Sequence, residues 1–337
     1  MNWPWPSASL YKWEVAAKCK TSYAVVPMTR RSATTLIRKP AIRGSALLLA
    51  LALCDAAPAA AGAAEWKFPC PENEIARYTA CHIREPIQID GRLAESVWQR
   101  ATYSPRFVDM LSGGRTIHDT RACVLWDDDN LYVAYRIEEP LLHAKYTNHN
   151  DPIYYDNDVE FFIAGRDAYY EFEINGFNTS YEAFFIWNEA YETGGFAAAP
   201  EFARSKLKAF NGVGFTNHPR GGRLGQFEWT FPGKRTAVAI DGTLNHDQDR
   251  DRGWTVELAF PWQGLTWLAK ADHRSLPPKE GDVWRMDFSR FNTYKEAAPA
   301  KDFSGWVWTR HGTWDSHIPE CFAYIQFTTN EVSTAVK

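Results

Sequence analysis

Two runs of strict alternation constrain this chain more than any other feature. They are Asp156-Asn157-Asp158-Val159-Glu160-Phe161-Phe162-Ile163 and Tyr169-Tyr170-Glu171-Phe172-Glu173-Ile174-Asn175. A period of two places successive side chains on opposite faces of an extended strand. Val159, Phe161 and Ile163 therefore share an apolar face with Tyr170, Phe172 and Ile174. The opposite face carries Asp156, Asp158 and Glu160 beside Glu171, Glu173 and Asn175. The short link Ala164–Ala168 makes the pair a hairpin, and register must keep apolar opposite apolar. A tight turn then sets Glu160 against Glu171, Asp158 against Glu173 and Asp156 against Asn175. Like charges opposed on a sheet destabilise it, so this face calls for a basic side chain, a cation or a hydroxyl-rich ligand.

The rest of the chain reads as more strands. Ile87–Gly91 enters a turn, Leu93–Ala101 (with Trp98) forms a short helix or turn, and Thr120–Trp126 and Leu131–Ile137 flank the turn sequence Asp127-Asp128-Asp129-Asn130. Tyr181–Trp187, Leu207–Phe215, Lys234–Ile240, Trp254–Phe260, Val283–Phe291 and Phe322–Phe327 follow, with a loop-like stretch over 188–205. Many short strands with no strongly helical window predict an all-β, antiparallel, jelly-roll-like β-sandwich with short helices or turns in its loops. The 15 Trp residues suit a large β core or stacking platforms. A formal net charge of -4 gives no reason to expect nucleic acid.

Residues 1–64 read as an upstream extension and a secretory signal. Arg30, Arg31, Arg38, Lys39 and Arg43 precede an apolar run, Ala46–Leu53, and an Ala-rich zone follows. That run is too short to span a bilayer. Met28 serves as a start for such a signal, and Leu53 is too large for a lipid-attachment box before Cys54. Residues 65–337 then form a single exported domain, periplasmic or extracellular. Four cysteines remain, Cys70, Cys81, Cys123 and Cys321, and an oxidising compartment lets them pair. The local pairing is Cys70 with Cys81, leaving Cys123 and Cys321 as buried strand residues.

Ile89-Asp90-Gly91 with Trp98, Val124-Leu125-Trp126-Asp127-Asp128 with Leu131-Tyr132-Val133, Asp158–Ile163, and Gly253-Trp254-Thr255-Val256-Glu257 with Pro261-Trp262 together resemble the ordered motifs of family 9 carbohydrate-binding modules and their relatives. The resemblance runs over about residues 83–328. It implies a β-sandwich related to DOMON domains, and sugar binding without bond cleavage. In sugar-binding members two aromatics sandwich a terminal sugar. Tyr154, with Tyr155 beside it, falls at the first place and Trp314 at the second. Glu160 matches the sugar-contacting glutamate, and His311 falls near a polar position. Two departures stand out: Tyr replaces the usual Trp at the first aromatic position, and Glu171-Phe172-Glu173 occupies a strand where some members carry a basic contact.

The expected site is thus Tyr154, Tyr155, Glu160, Glu173, Asn175, His311 and Trp314, in which rings stack on sugar C–H faces and carboxylates and amides bind hydroxyls. Arg136, Arg166, Arg285 and Arg290 are the competing partners for Glu160. Asp247, Asp249 and Asp251 have the oxygen density of a calcium loop without EF-hand spacing, and structural calcium is implied by the family rather than located by this run. The expected partner is a carbohydrate or polysaccharide, with any glycan-degrading enzyme on a separate chain. Two other functions compete. A glycoside hydrolase would use Glu160 with Glu171 or Glu173, and a haem-binding DOMON-type electron carrier would need axial Met or His ligands, of which Met110 and Met286 are the methionines after the signal.

Overall fold

The computed structural model describes residues 66–292 and 305–332. The upstream extension and signal segment, residues 1–64, lie outside the described residues. The strands are β1 (Arg77–His82), β2 (Val108–Asp109), β3 (Thr120–Trp126), β4 (Asn130–Glu138), β5 (Asp158–Ala164), β6 (Ala168–Asn175) and β7 (Ser180–Trp187). They continue with β8 (Lys208–Phe210), β9 (Arg223–Gln226), β10 (Arg235–Asp241), β11 (Gly253–Pro261), β12 (Val283–Phe291), β13 (Gly305–Val307) and β14 (Ala323–Glu331). The path runs β10-β11-β4-β3-β1-β14-β12-β5-β6-β7-β9-β8, with β13 and β2 attached beside β12.

The fold is all-β, and its neighbouring strands are antiparallel except at β1, which lies parallel to both β14 and β3. The open sheet doubles over itself as a sandwich. Phe161 of β5 stacks on Phe260 of β11 with centroids 5.3 Å apart, and Tyr135 of β4 meets Phe288 of β12 at 6.2 Å. The Tyr135 hydroxyl donates to the Glu160 carbonyl across the same interface (2.7 Å). Val159, Phe161, Ile163, Tyr170, Phe172 and Ile174 all lie in this core, as their alternation predicts. A smaller apolar cluster lies on the outer side of β3, β4 and β11, where Val97 and Trp98 of the helix Ser96–Arg100 cover Cys123, Leu125, Tyr132 and Ala134.

Several local expectations change. The β5–β6 hairpin pairs Glu160 with Glu173, Asp158 with Asn175 and Phe162 with Glu171. Each expected pairing is displaced by two residues while the faces are kept. Gly165 N–H donates to the Ala168 carbonyl, so only Arg166 and Asp167 form the turn. Ile87–Gly91 joins no sheet, because the Asp90 and Gly91 N–H groups donate instead to the Glu257 carboxylate. The strand expected over Leu207–Phe215 is paired only over Lys208–Phe210. The disulfide joins Cys70 to Cys321, not to Cys81. Cys81 lies on β1 facing the smaller cluster, and Cys123 is a buried thiol whose pKa desolvation pushes up to about 12.

Candidate functional site

The outer faces of β12, β5, β6 and β7 form one continuous surface, because directly paired residues of antiparallel strands point the same way. One transverse row reads Ser289, Glu160, Glu173 and Tyr181, and the next reads Asp287, Phe162, Glu171 and Ala183. On the other side, Phe291, Asp158 and Asn175 continue the surface. All three glutamates are buried: Glu160 is 4% exposed, Glu171 4% and Glu173 2%. The acidic surface is therefore the floor of the site and not an open plane.

Serines and a loop hold that floor. Ser289 Oγ donates to Glu160 Oε2 at 2.9 Å, and Ser316 Oγ donates to the same oxygen at 3.1 Å. His317 Nε2 lies 3.5 Å from Glu171 Oε1. The loop carrying Ser316 and His317 is pinned by Asp315, whose Oδ2 accepts the N–H groups of Val213, Gly214 and Phe215 while Oδ1 accepts that of His317. Burial would raise the Asp315 pKa, but the His317 ring and these N–H donors outweigh it and hold the carboxyl below its usual range.

Aromatic rings border the floor at both ends. Tyr154 packs edge-on against Tyr181 at 5.8 Å, and Tyr155 stands 4.7 Å from Tyr154 and is 41% exposed. Burial pushes the Tyr181 phenol far up, and Glu171, Glu173, Tyr154 and Glu160 add to the effect. Trp314, partly exposed, packs against Phe291 of β12 at 5.3 Å. Tyr154, packed on Tyr181 of β7, and Trp314, packed on Phe291 of β12, thus flank the acidic rows from the β7 and β12 sides.

The expected residues divide into those that converge here and those used elsewhere. Tyr154, Tyr155, Glu160, Glu173 and Trp314 border or floor the one surface. Asn175 lies on the same face beside Asp158, but its amide is taken up as a brace: its Nδ2 donates to Tyr146 O and Asp156 Oδ2, and its Oδ1 accepts the Phe177 and Thr179 N–H groups. His311 is fully buried, with Nδ1 on the Asp315 carbonyl (2.7 Å) and Nε2 on Asp287 Oδ1 (3.2 Å), so it supports the loop from beneath. Of the arginines weighed for Glu160, Arg290 pairs with Glu139, Arg166 with Asp167, Arg285 reaches the Glu320 carbonyl and Arg136 lies over Tyr103.

Asp247, Asp249 and Asp251 do not converge. Asp247 pairs with His143 and Asp249 with His246, while Asp251 accepts the Leu142 and Thr243 N–H groups to close its turn. Among the described residues, the acids close enough to share a cation are instead Asp158, Glu160 and Glu173, with ligand atoms within 4.8 Å of one another. A hard, oxygen-seeking ion such as calcium suits that donor set. Met110 and Met286, the methionines weighed as haem ligands, are both fully buried in apolar packing.

Sequence reasoning missed Tyr181, Ser289 and Ser316. The signal for Tyr181 was present, since Tyr181, Ala183 and Phe185 alternate in step with Glu173, Glu171 and Tyr169 across the β6–β7 hairpin. The serines carry no such signal, because only the long-range β12–β5 pairing and the loop path bring them to Glu160.

Residues 89–200 match the family model described as "Carbohydrate family 9 binding domain-like". That span takes in Tyr154, Glu160, Glu173 and Tyr181, while Ser289, Trp314 and Ser316 fall beyond it. No curated protein matches the chain. Among solved structures, a family 9 carbohydrate-binding module from Caldicellulosiruptor kristjanssonii in complex with cellotriose is 14% identical with a TM-score of 0.42, covering 77% of this chain and 98% of that one. Its complex with glucose is 13% identical with a TM-score of 0.43, covering 77% and 99%. A putative carbohydrate-binding protein from Bacteroides uniformis is 14% identical with a TM-score of 0.46, covering 75% and 99%. Residues 89–200 are thus similar to the carbohydrate family 9 binding domain-like family, a match over about a third of the chain.

Proposed function

We propose that the protein is an exported, non-catalytic carbohydrate-binding protein that takes a sugar end group over the acidic rows of β5 and β6. The observation that carries this is the row Ser289, Glu160, Glu173 and Tyr181, with Tyr154 packed on Tyr181 at one end and Trp314 beside Phe291 at the other. Rings offer apolar faces to sugar C–H groups, and carboxylates accept hydroxyl protons in strong charge-assisted bonds. The family match over residues 89–200 supports the same ligand class. Export draws support from the Arg-rich, apolar N-terminal run and from the Cys70–Cys321 disulfide, which suits an oxidising compartment.

A glycan array followed by calorimetry with neutral mono- and oligosaccharides tests the reading. The expected result is binding that Glu160→Gln weakens about tenfold or more, the loss of one hydrogen bond to a charged group, with no turnover of aryl glycosides. A folded protein that binds no glycan overturns it.

A further inference from the structure

The opposite outer face carries a second constellation of charge. The β3–β4 hairpin sets Arg121 directly against Arg136, and that row continues through Thr255 of β11 to Ala239 of β10. Two guanidiniums opposed on neighbouring strands repel. Arg92 and Arg252 line the same groove, which has a volume of about 640 Å³. Arg92 is placed there by the Ile89–Gly91 turn, which Glu257 fixes through two backbone N–H groups and Thr255 through the Gly91 carbonyl. The ion pairs in the groove join Arg121 to Asp119 and Arg252 to Asp241, while Glu138 meets His118 and accepts the Asp119 N–H. Among the described residues no carboxylate pairs with Arg92 or Arg136, and the Arg136 guanidinium lies 4.0 Å over the Tyr103 ring.

The geometry points to a second binding site here, for an acidic carbohydrate: a hydroxyl-bearing chain with carboxylate or sulfate groups. Arg92 and Arg136 present fork donors that match a planar carboxylate or a sulfate. Asp119, Glu138 and Asp241 line the same groove, and a carboxylate held by a neighbouring donor keeps lone pairs that a ligand hydroxyl can share. That mixture discriminates between ligands. A polyphosphate or nucleic acid backbone offers mainly anionic oxygens and has few protons to give these carboxylates. A uronic acid offers both its anion and its hydroxyls, and each finds a partner. The groove lies on β3, β4, β11 and β10, away from the Glu160 rows, and does not depend on the function proposed for them.

Calorimetry on the full chain tests it, using a galacturonic acid oligomer, a sulfated heparin-derived oligosaccharide, single-stranded DNA and inorganic phosphate. The wild-type protein should bind at least one acidic glycan, more weakly at about 0.15 M salt than at low salt, because the contacts are exposed charges. The double variant Arg92→Gln/Arg136→Gln should lose about tenfold or more in affinity, as expected for two charge-assisted contacts. Arg92→Gln alone, at an exposed residue, should lose part of it with an unchanged melting curve. Glu160→Gln should leave acidic-glycan binding intact. Binding of the galacturonate or the sulfated probe alone identifies which anion the groove prefers and supports the site. Three results overturn it: no acidic glycan binds, the double variant binds as the wild type does, or DNA or phosphate binds as tightly as either glycan.

Discussion

Glu257 shows how one buried carboxylate joins motifs that look separate in the sequence. It accepts the Asp90 N–H at 3.0 Å, the Gly91 N–H at 2.9 Å and the Trp98 indole N–H at 2.7 Å. The Ile89-Asp90-Gly91 turn, Trp98 and the Gly253–Glu257 strand are therefore one hydrogen-bonded unit with a structural role. Replacing Glu257 by Gln puts an amide N–H among donors that need an acceptor. Urea denaturation should show Glu257→Gln losing about 2–3 kcal/mol, with the affinity of the folded protein for neutral sugar unchanged. His311 gives a pH-dependent counterpart. Burial would lower its pKa, but the Asp287 carboxylate and the bonds to Asp287 and Asp315 outweigh it and hold the value above the ordinary one. A raised folded pKa stabilises fully below the unfolded value, near 6.5, and its contribution fades as pH climbs through the folded value. Melting curves across pH should therefore separate wild type from His311→Gln most widely below about pH 6.5 and converge toward alkaline pH. A gap that widens with rising pH would contradict the assignment.

At the scale of single elements, alternation was legible and register was not. The faces of β5 and β6 follow from the period of two and survive any shift by two residues, so the core residues were correct and the acid pairs were displaced. Register depends on where the turn closes, and that is set by a contact outside the hairpin. A Cβ on Gly165 would sit 2.1 Å from the Leu268 carbonyl, so the turn fits beside the helical segment Thr266–Lys270 only with glycine there. Gly165→Ala should then cost about 1–3 kcal/mol through a backbone clash that no side-chain rotation relieves. Differential scanning calorimetry should show the loss, and hydrogen exchange should place the loosening at the β5–β6 turn. The Arg121–Arg136 opposition was within reach of the sequence, since the Asp127–Asn130 turn closes the β3–β4 hairpin tightly. The loop that brings Ser316 to Glu160 was not, because its position rests on Asp315 holding the N–H groups of residues about a hundred positions earlier in the chain.

For the whole molecule, β1 decides whether the two halves of the sheet are continuous. It is the strand between β3 and β14, parallel to both, so the surface bearing the Glu160 rows and the surface bearing the arginine groove meet through it. The segment leading into β1 is fastened by Cys70 to Cys321, which immediately precedes the run into β14, across a sequence separation of 251. No spacing rule could have found that pair, because only the parallel alignment of the first and last strands brings the two thiols together. A cross-link closing so long a loop restricts the unfolded chain strongly, and its removal should cost about 2–5 kcal/mol. Cys70→Ser, Cys321→Ser and chemically reduced wild type should unfold at the same lowered urea concentration, and reductant should shift neither variant further. Cys81→Ser should unfold where the oxidised wild type does. Should Cys81→Ser instead reproduce the loss, β1 would be tethered within the entry segment, and the fastening of the first strand to the last would have to come from backbone pairing alone.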